Sequence, residues 1–175
     1  MDTKQLIKRA KKGNKEALVK LIMAQEKEYY KLAYVYMKNK DDALDALEDM
    51  ILVLYENIGK LRNEDKFYSW SKTILVNRCK KILKDRSKVV LIDGLSSESY
   101  EGNLYRKEDQ ILLDKHMSKL SEKHQEVLKL RYFLDLEYNT ISEMLKVPLG
   151  TVKSRISIGL NKLKESLGGE GYERG

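Results

Sequence analysis

Apolar residues recur at spacings of three and four along most of the chain, and a single proline, Pro148, interrupts the 175 residues. A 3.6-residue period laid on a sheet would turn half of its apolar side chains to water, so this pattern selects helix. One proline in a Leu-, Lys- and Glu-rich sequence removes the commonest helix breaker and leaves good helix formers. The expected fold class is all-α. The length suits one ordinary domain or two small ones, each able to bury a core. One cysteine excludes a disulfide framework and any cysteine-based zinc site. No apolar run nears the roughly 20 residues that span a bilayer, and the basic start lacks the apolar stretch of a secretory signal. These features predict a soluble, intracellular, cytoplasmic helical protein.

The stripes give the organisation. Asn14 is placed to cap a helix carrying Leu18, Leu21, Ile22, Tyr29, Leu32, Ala33 and Tyr36. Asp41 or Asp42 is placed to cap the next, with Ala43, Leu47, Met50, Ile51, Leu54 and Ile58 inward and Gly59 at its end. A third long helix has Phe67, Trp70, Ile74, Cys79, Ile82 and Leu83 on its inner side and ends near Lys88. Then the pattern fails. Val89–Ile92 is strand-like with nothing nearby to pair with, and a stretch rich in Gly, Ser and Asn follows. The expected division is a helical domain at 1–90, a flexible linker at 91–108 and a second helical domain at 109–175.

Charge follows the same division. The three segments carry net charges of +8, −2 and +1. Within the first, Asp41 to Asp49 holds five acids, whereas Lys72 to Lys88 holds seven bases against Asp85 alone. An acidic and a basic face on neighbouring helices suggest two different partners; solvated helix surface is the plain alternative.

The second domain opens with Ile111, Leu112, Met117 and Leu120; Ser121 then caps a helix that buries Val127, Leu128 and Leu130. Tyr138 to Leu167 carries the clearest local pattern. A short helix with Ile141, Met144 and Leu145 inward meets a turn at Lys146-Val147, and Pro148 sits where a first helical turn accepts proline. The following helix puts Val152, Ile156, Gly159, Leu163 and Leu167 on one side, with Gly150, Ser154, Ser157, Ile158 and Asn161 opposite and Thr151, Lys153 and Arg155 flanking. Two short helices with a tight turn and a polar outer face on the second make a helix-turn-helix; an ordinary αα-hairpin is the alternative.

Leu120 to Glu165 closely resembles region 4 of bacterial sigma factors, most specifically in Gly150-Thr151-Val152-Lys153-Ser154-Arg155. Phe67 to Lys88 resembles the end of region 2 in the small extracytoplasmic-function (ECF) group, where Phe-x-x-Trp is followed by Asn and a basic tail. Asp41 to Ile58 resembles the acidic stretch that precedes it. The resemblance covers both domains in order, with a linker where larger sigma factors have region 3. It implies a transcription initiation factor that binds core RNA polymerase, through the β′ clamp helices and the β flap, and also promoter DNA. An anti-sigma factor is a further implied partner, and no cofactor, metal or small-molecule substrate is implied. The implied polymerase contacts are Asp42, Leu44, Asp45, Glu48, Asp49 and Leu52. Those at the minus-ten element are Lys66, Phe67, Trp70, Asn77, Arg78, Lys81 and Lys84, with core packing as the competing role for Phe67 and Trp70. Those at the minus-thirty-five element are Gly150, Thr151, Lys153, Ser154, Arg155, Ser157 and Ile158.

The chain departs from the pattern in places. Lys146 stands at the usual turn glycine, Lys81 at a usual Asp, and Ile158 and Leu160 where arginines are common. A left-handed Lys146 would cost about 1 kcal/mol. An enzyme is not expected: there is no phosphate-binding glycine loop and no nucleophile paired with a base. His116 and His124, eight residues apart, are expected on the surface. The competing function is a helix-turn-helix regulator that does not bind polymerase stably.

Overall fold

The computed structural model describes residues 2–93 and 108–168. The chain divides into two compact units, Met1–Glu98 and Ser99–Gly175, and among the described residues every regular element is helical.

The first unit contains α1 (Thr3–Lys11), α2 (Lys15–Ala24), α3 (Glu26–Met37), α4 (Lys40–Asn57) and α5 (Phe67–Asp93), with single 3₁₀ turns at Ile58–Lys60 and Glu64–Lys66. Sequence periodicity did not mark α1, whose Ile7 and Ala10 are its only buried residues. Gly13, at φ +92°, turns the chain into α2 in a conformation costly for any other residue type. Asn14 caps α2 as expected, its Oδ1 accepting the Ala17 N–H at 2.9 Å.

Three expectations change here. The helix expected to run unbroken from Asn14 bends at Gln25 into α2 and α3, because α2 packs on α1 whereas α3 packs on α4 and α5. Met37, not Tyr36, completes the buried face of α3. The α4 cap is Asn39, whose Oδ1 accepts the Asp42 N–H at 2.9 Å. Asp41 and Asp42 lie in the first turn instead, where the helix dipole favours acids.

Along α5 the buried residues are Phe67, Ser71, Leu75, Val76 and Cys79. Trp70, Ile74 and Ile82 are half-exposed and Leu83 is exposed, so the core face is rotated from the expected stripe. Ser71 explains the difference. It is a polar member of a 67-71-75-79 row, and its Oγ lies 2.6 Å from the buried Tyr29 hydroxyl, so it enters the core with a partner. The same helix continues through Val89–Ile92 to Asp93, correcting the strand-like reading; the rest of the expected linker, 94–107, lies outside the described residues.

The second unit contains α6 (Glu108–Ser118), α7 (Glu122–Leu128), a π-helical turn (Lys129–Phe133), α8 (Tyr138–Leu145) and α9 (Leu149–Gly168). Met117, Leu120, Val127, Leu128, Leu130, Ile141, Met144, Val152 and Ile156 form its core. His116 is corrected from surface to core. It is 1% exposed, and its Nδ1 lies 2.6 Å from Ser166 Oγ, tying α6 to α9. Ser121 precedes α7 as expected, but its hydroxyl meets His124 Nδ1 at 2.8 Å rather than a backbone N–H.

Candidate nucleic-acid and protein interfaces

The helix-turn-helix forms where the spacing predicts it. Lys146 is left-handed, at φ 55° and ψ 44°, and its N–H caps α8 by donating to the Ser142 carbonyl. Ser142 closes the turn from the other side, its Oγ donating to the Val147 carbonyl at 2.6 Å. Upstream, Arg131 donates to the Leu136 carbonyl at 3.1 Å and lies over the Tyr138 ring at 5.0 Å. That clasp holds the approach to α8.

On α9, Val152, Ile156 and Gly159 face the core, as expected. Gly150, Lys153, Ser154, Ser157 and Ile158 are exposed and Thr151 and Arg155 half-exposed, so one surface gathers all seven. A Cβ at Gly150 would meet nothing within 4 Å, so another molecule's backbone or base could approach closely there. The surface is rich in hydroxyl and cationic donors, the groups that contact phosphates and base edges in a groove.

On α4, Leu44, Asp45, Glu48 and Leu52 are exposed, and Leu52 retains 63% of its accessible area. Two of the six expected docking residues are engaged internally. Asp42 forms a bidentate pair with Arg86, one bond at 2.6 Å, and Asp49 Oδ2 lies 3.3 Å from Arg78. The hydrogen bond from Arg86 holds the Asp42 carboxyl below its usual range, and the same bond raises Arg86. Tyr55, also exposed, extends the apolar edge of α4, with Lys15 of α2 over its ring at 5.1 Å. Sequence reading missed it. Its spacing of three from Leu52 was the available signal.

Lys66, in the 3₁₀ turn before α5, and Asn77, Lys81 and Lys84 on α5 are exposed, while Arg78 is half-buried against Asp49. Trp70 is half-exposed and tilted against Phe67 at 6.3 Å. Phe67 is corrected. At 1% exposure it is a core residue and offers no face to a base. Lys72 is held below its usual range by burial, opposed by the charge of Glu28. Burial also pushes the Cys79 thiol up to about 12, which makes it a packing residue and a poor nucleophile. Tyr132 and Phe133, exposed after α7, are further apolar groups that sequence reading did not single out; neither falls on a stripe.

Among the described residues no three His, Cys, Asp or Glu side chains are grouped to hold a metal ion, and no helix is long and apolar enough to cross a membrane.

Two family models match the chain in order: Sigma-70 region 2 over residues 21–89 and Sigma-70, region 4 over residues 116–165. Together they take in more than half of it. The chain is 29% identical to the RNA polymerase sigma factor SigV of Bacillus subtilis, over 90% of this chain and 95% of that one. It is 28% identical to the ECF RNA polymerase sigma factor SigW of the same organism, over 95% and 97%. Its fold matches CnrH, solved with the cytosolic domain of CnrY, at a TM-score of 0.69 and 18% identity over 97% of this chain and all of that one. It also matches the sigma factor RpoE of Bartonella quintana, solved with the anti-sigma factor NepR, at 0.68 and 22% over 87% and 96%.

Proposed function

The chain belongs to the sigma-70 family of RNA polymerase sigma factors, in its ECF group, and from that premise we propose how its two helical units divide the work of transcription initiation. The protein binds core RNA polymerase and directs it to promoters. The first unit docks on polymerase and opens the minus-ten element, and the second reads the minus-thirty-five element. The observation that carries this reading is the occurrence of both region matches, in order, on a chain with an acidic helix, a basic helix and a helix-turn-helix.

Docking falls to the exposed Leu44, Asp45, Glu48 and Leu52 of α4, joined by Tyr55. Exposed ion pairs contribute about 0–1 kcal/mol each, so the aliphatic and aromatic contacts carry the larger share of the affinity. Opening a duplex without fuel means capturing an unstacked base, at a cost of a few kcal/mol. Asn77 supplies hydrogen bonds for a base edge, Trp70 an aromatic face, and Lys66, Lys81 and Lys84 the charge that follows a single strand. Helix α9 enters the major groove with Gly150, Thr151, Lys153, Ser154, Ser157 and Ile158, and Arg155 flanks it.

Sigma factors are not enzymes, and the chain needs no active site or cofactor for this role. It works in the cytoplasm, where the polymerase is. Anti-sigma control is part of the proposal, because the solved RpoE of Bartonella quintana is bound to an anti-sigma factor. Run-off transcription with purified core polymerase on a genomic fragment library tests the reading. Discrete transcripts that require the chain are expected; if the chain neither co-purifies with core nor yields transcripts, it is a DNA-binding regulator instead.

A further inference from the structure

Gly159 marks a close approach between α7 and α9. A Cβ there would lie 3.1 Å from Leu128 Cδ1 and 3.4 Å from His124 Cβ, so His124 packs directly over the glycine. Arg155 precedes Gly159 by four residues and Lys162 follows it by three, spacings that put all three on one side of α9. His124 therefore sits between two cations. Ser121 Oγ, 2.8 Å from Nδ1, fixes the ring by one nitrogen. Burial, then the charges of Lys162 and Arg155, hold the imidazole below its ordinary range. Among the described residues neither Arg155 nor Lys162 pairs with a carboxylate. The two cations disfavour protonation of the imidazole beside them, and an oxyanion among the three groups would offset that repulsion.

We propose that Ser121, His124, Arg155 and Lys162 form a binding site for one phosphate of the DNA backbone, beside the groove-reading face of α9. The site rests on the reading of α9 as a DNA-binding helix. It assigns Arg155 to phosphate rather than to a base. It also gives DNA binding a proton linkage, because the phosphate favours the imidazolium: affinity rises as pH falls through the bound-state value and levels off below the free-state value. The chain's other histidine, His116, is buried against Ser166 in the same unit, so variants at His124 identify the source of the linkage.

The test is equilibrium binding of the full chain to a short labelled duplex between about pH 7.5 and 5.5, the window of an ordinary histidine. Wild type should tighten several-fold as pH falls. His124→Gln should abolish the tightening, and His124→Lys, with its permanent charge, should bind at pH 7.5 as wild type does at 5.5. Lys162→Gln should flatten the slope of log affinity against log salt by about 0.9, the loss of one phosphate contact. Thermal melts by circular dichroism check that each variant is folded, and the Lys162 slope stands even where a His124 variant is not. A pH response retained in His124→Gln, or a salt slope retained in Lys162→Gln, overturns the site. A third arm adds inorganic phosphate alone and follows the His124 ring signals by NMR. Saturation there with no pH effect on DNA binding makes this a free-phosphate site and overturns the DNA assignment. Lys153→Gln separates the two levels: if it weakens binding while the His124 and Lys162 variants behave as wild type, only the phosphate site fails. If none of the four variants changes binding, the reading of α9 fails with it.

Discussion

Arg86 closes on Asp42 across 44 residues of chain, with both terminal guanidinium nitrogens on the two carboxylate oxygens, while Asn39 donates to the same carboxylate. The pair joins the N-terminal turn of the acidic helix to the far half of the basic one. Arg78 and Asp49 repeat it, seven residues further along α4 and eight back along α5, so the two helices run antiparallel with charged contacts at both crossings. The acids and bases that read as two separate faces in the sequence are partly each other's partners.

Asp42→Asn should lower the unfolding free energy by about 1 kcal/mol at pH 7, a modest value because the arginine is half-exposed. The folded-state carboxyl is depressed, so the contribution is complete above the ordinary aspartate value of about 3.9 and disappears as pH falls through the lower folded value. Denaturant melts of both proteins from pH 7 down to about 2 should therefore converge at the acid end.

Polymerase docking should depend on the exposed residues of α4. Reversing Asp45 and Glu48 together, or changing Leu52 to Ala, should weaken co-purification with core polymerase while thermal stability moves by less than about 0.5 kcal/mol, as for other exposed substitutions. Normal holoenzyme assembly by both variants would place the docking face elsewhere.

Lys146→Gly should stabilise the second unit by about 1 kcal/mol, since glycine adopts the observed left-handed turn without the Cβ penalty. Thermal denaturation followed by circular dichroism measures it; a loss of stability would mean that the lysine side chain contributes more than its backbone costs.

Gly159→Val should cost about 1–3 kcal/mol, because its Cβ would stand 3.1 Å from Leu128 and its methyl groups would press α7 away from α9. Denaturant unfolding of the variant gives the value directly.

Asn77→Ala should impair opening of the downstream promoter element and spare upstream binding, whereas Lys153→Ala should weaken upstream binding and spare opening once the complex forms. Permanganate footprinting of unpaired thymines, with promoters altered in one element at a time, separates the two. Identical defects would merge the two sites into one.

The helical periodicity, the cap at Asn14, the inward face of α9 and the helix-turn-helix were legible because each depends on residues within a few positions of one another, whereas α1 and the bend at Gln25 were not. The turn at Lys146 followed from local spacing, and its left-handed strain from the resemblance, in which a glycine stands at that position. The inward row of α5 was not legible. Ser71 reads as polar in any hydropathy pattern and becomes a core residue only once Tyr29, 42 residues away, meets its hydroxyl.

What the sequence determined by itself is therefore the helical class, the order of the two units, and the periodic faces that put polar groups outside on α9. The tertiary structure alone decided that Phe67 belongs to the core, that His116 pairs with Ser166, and that Asp42 and Asp49 are held by arginines. The physical reason is range. Backbone hydrogen bonding and amphipathic periodicity act within about one or two helical turns and are written in neighbouring residues. A buried polar group or ion pair depends on a partner from another helix, which only packing brings within hydrogen-bonding distance.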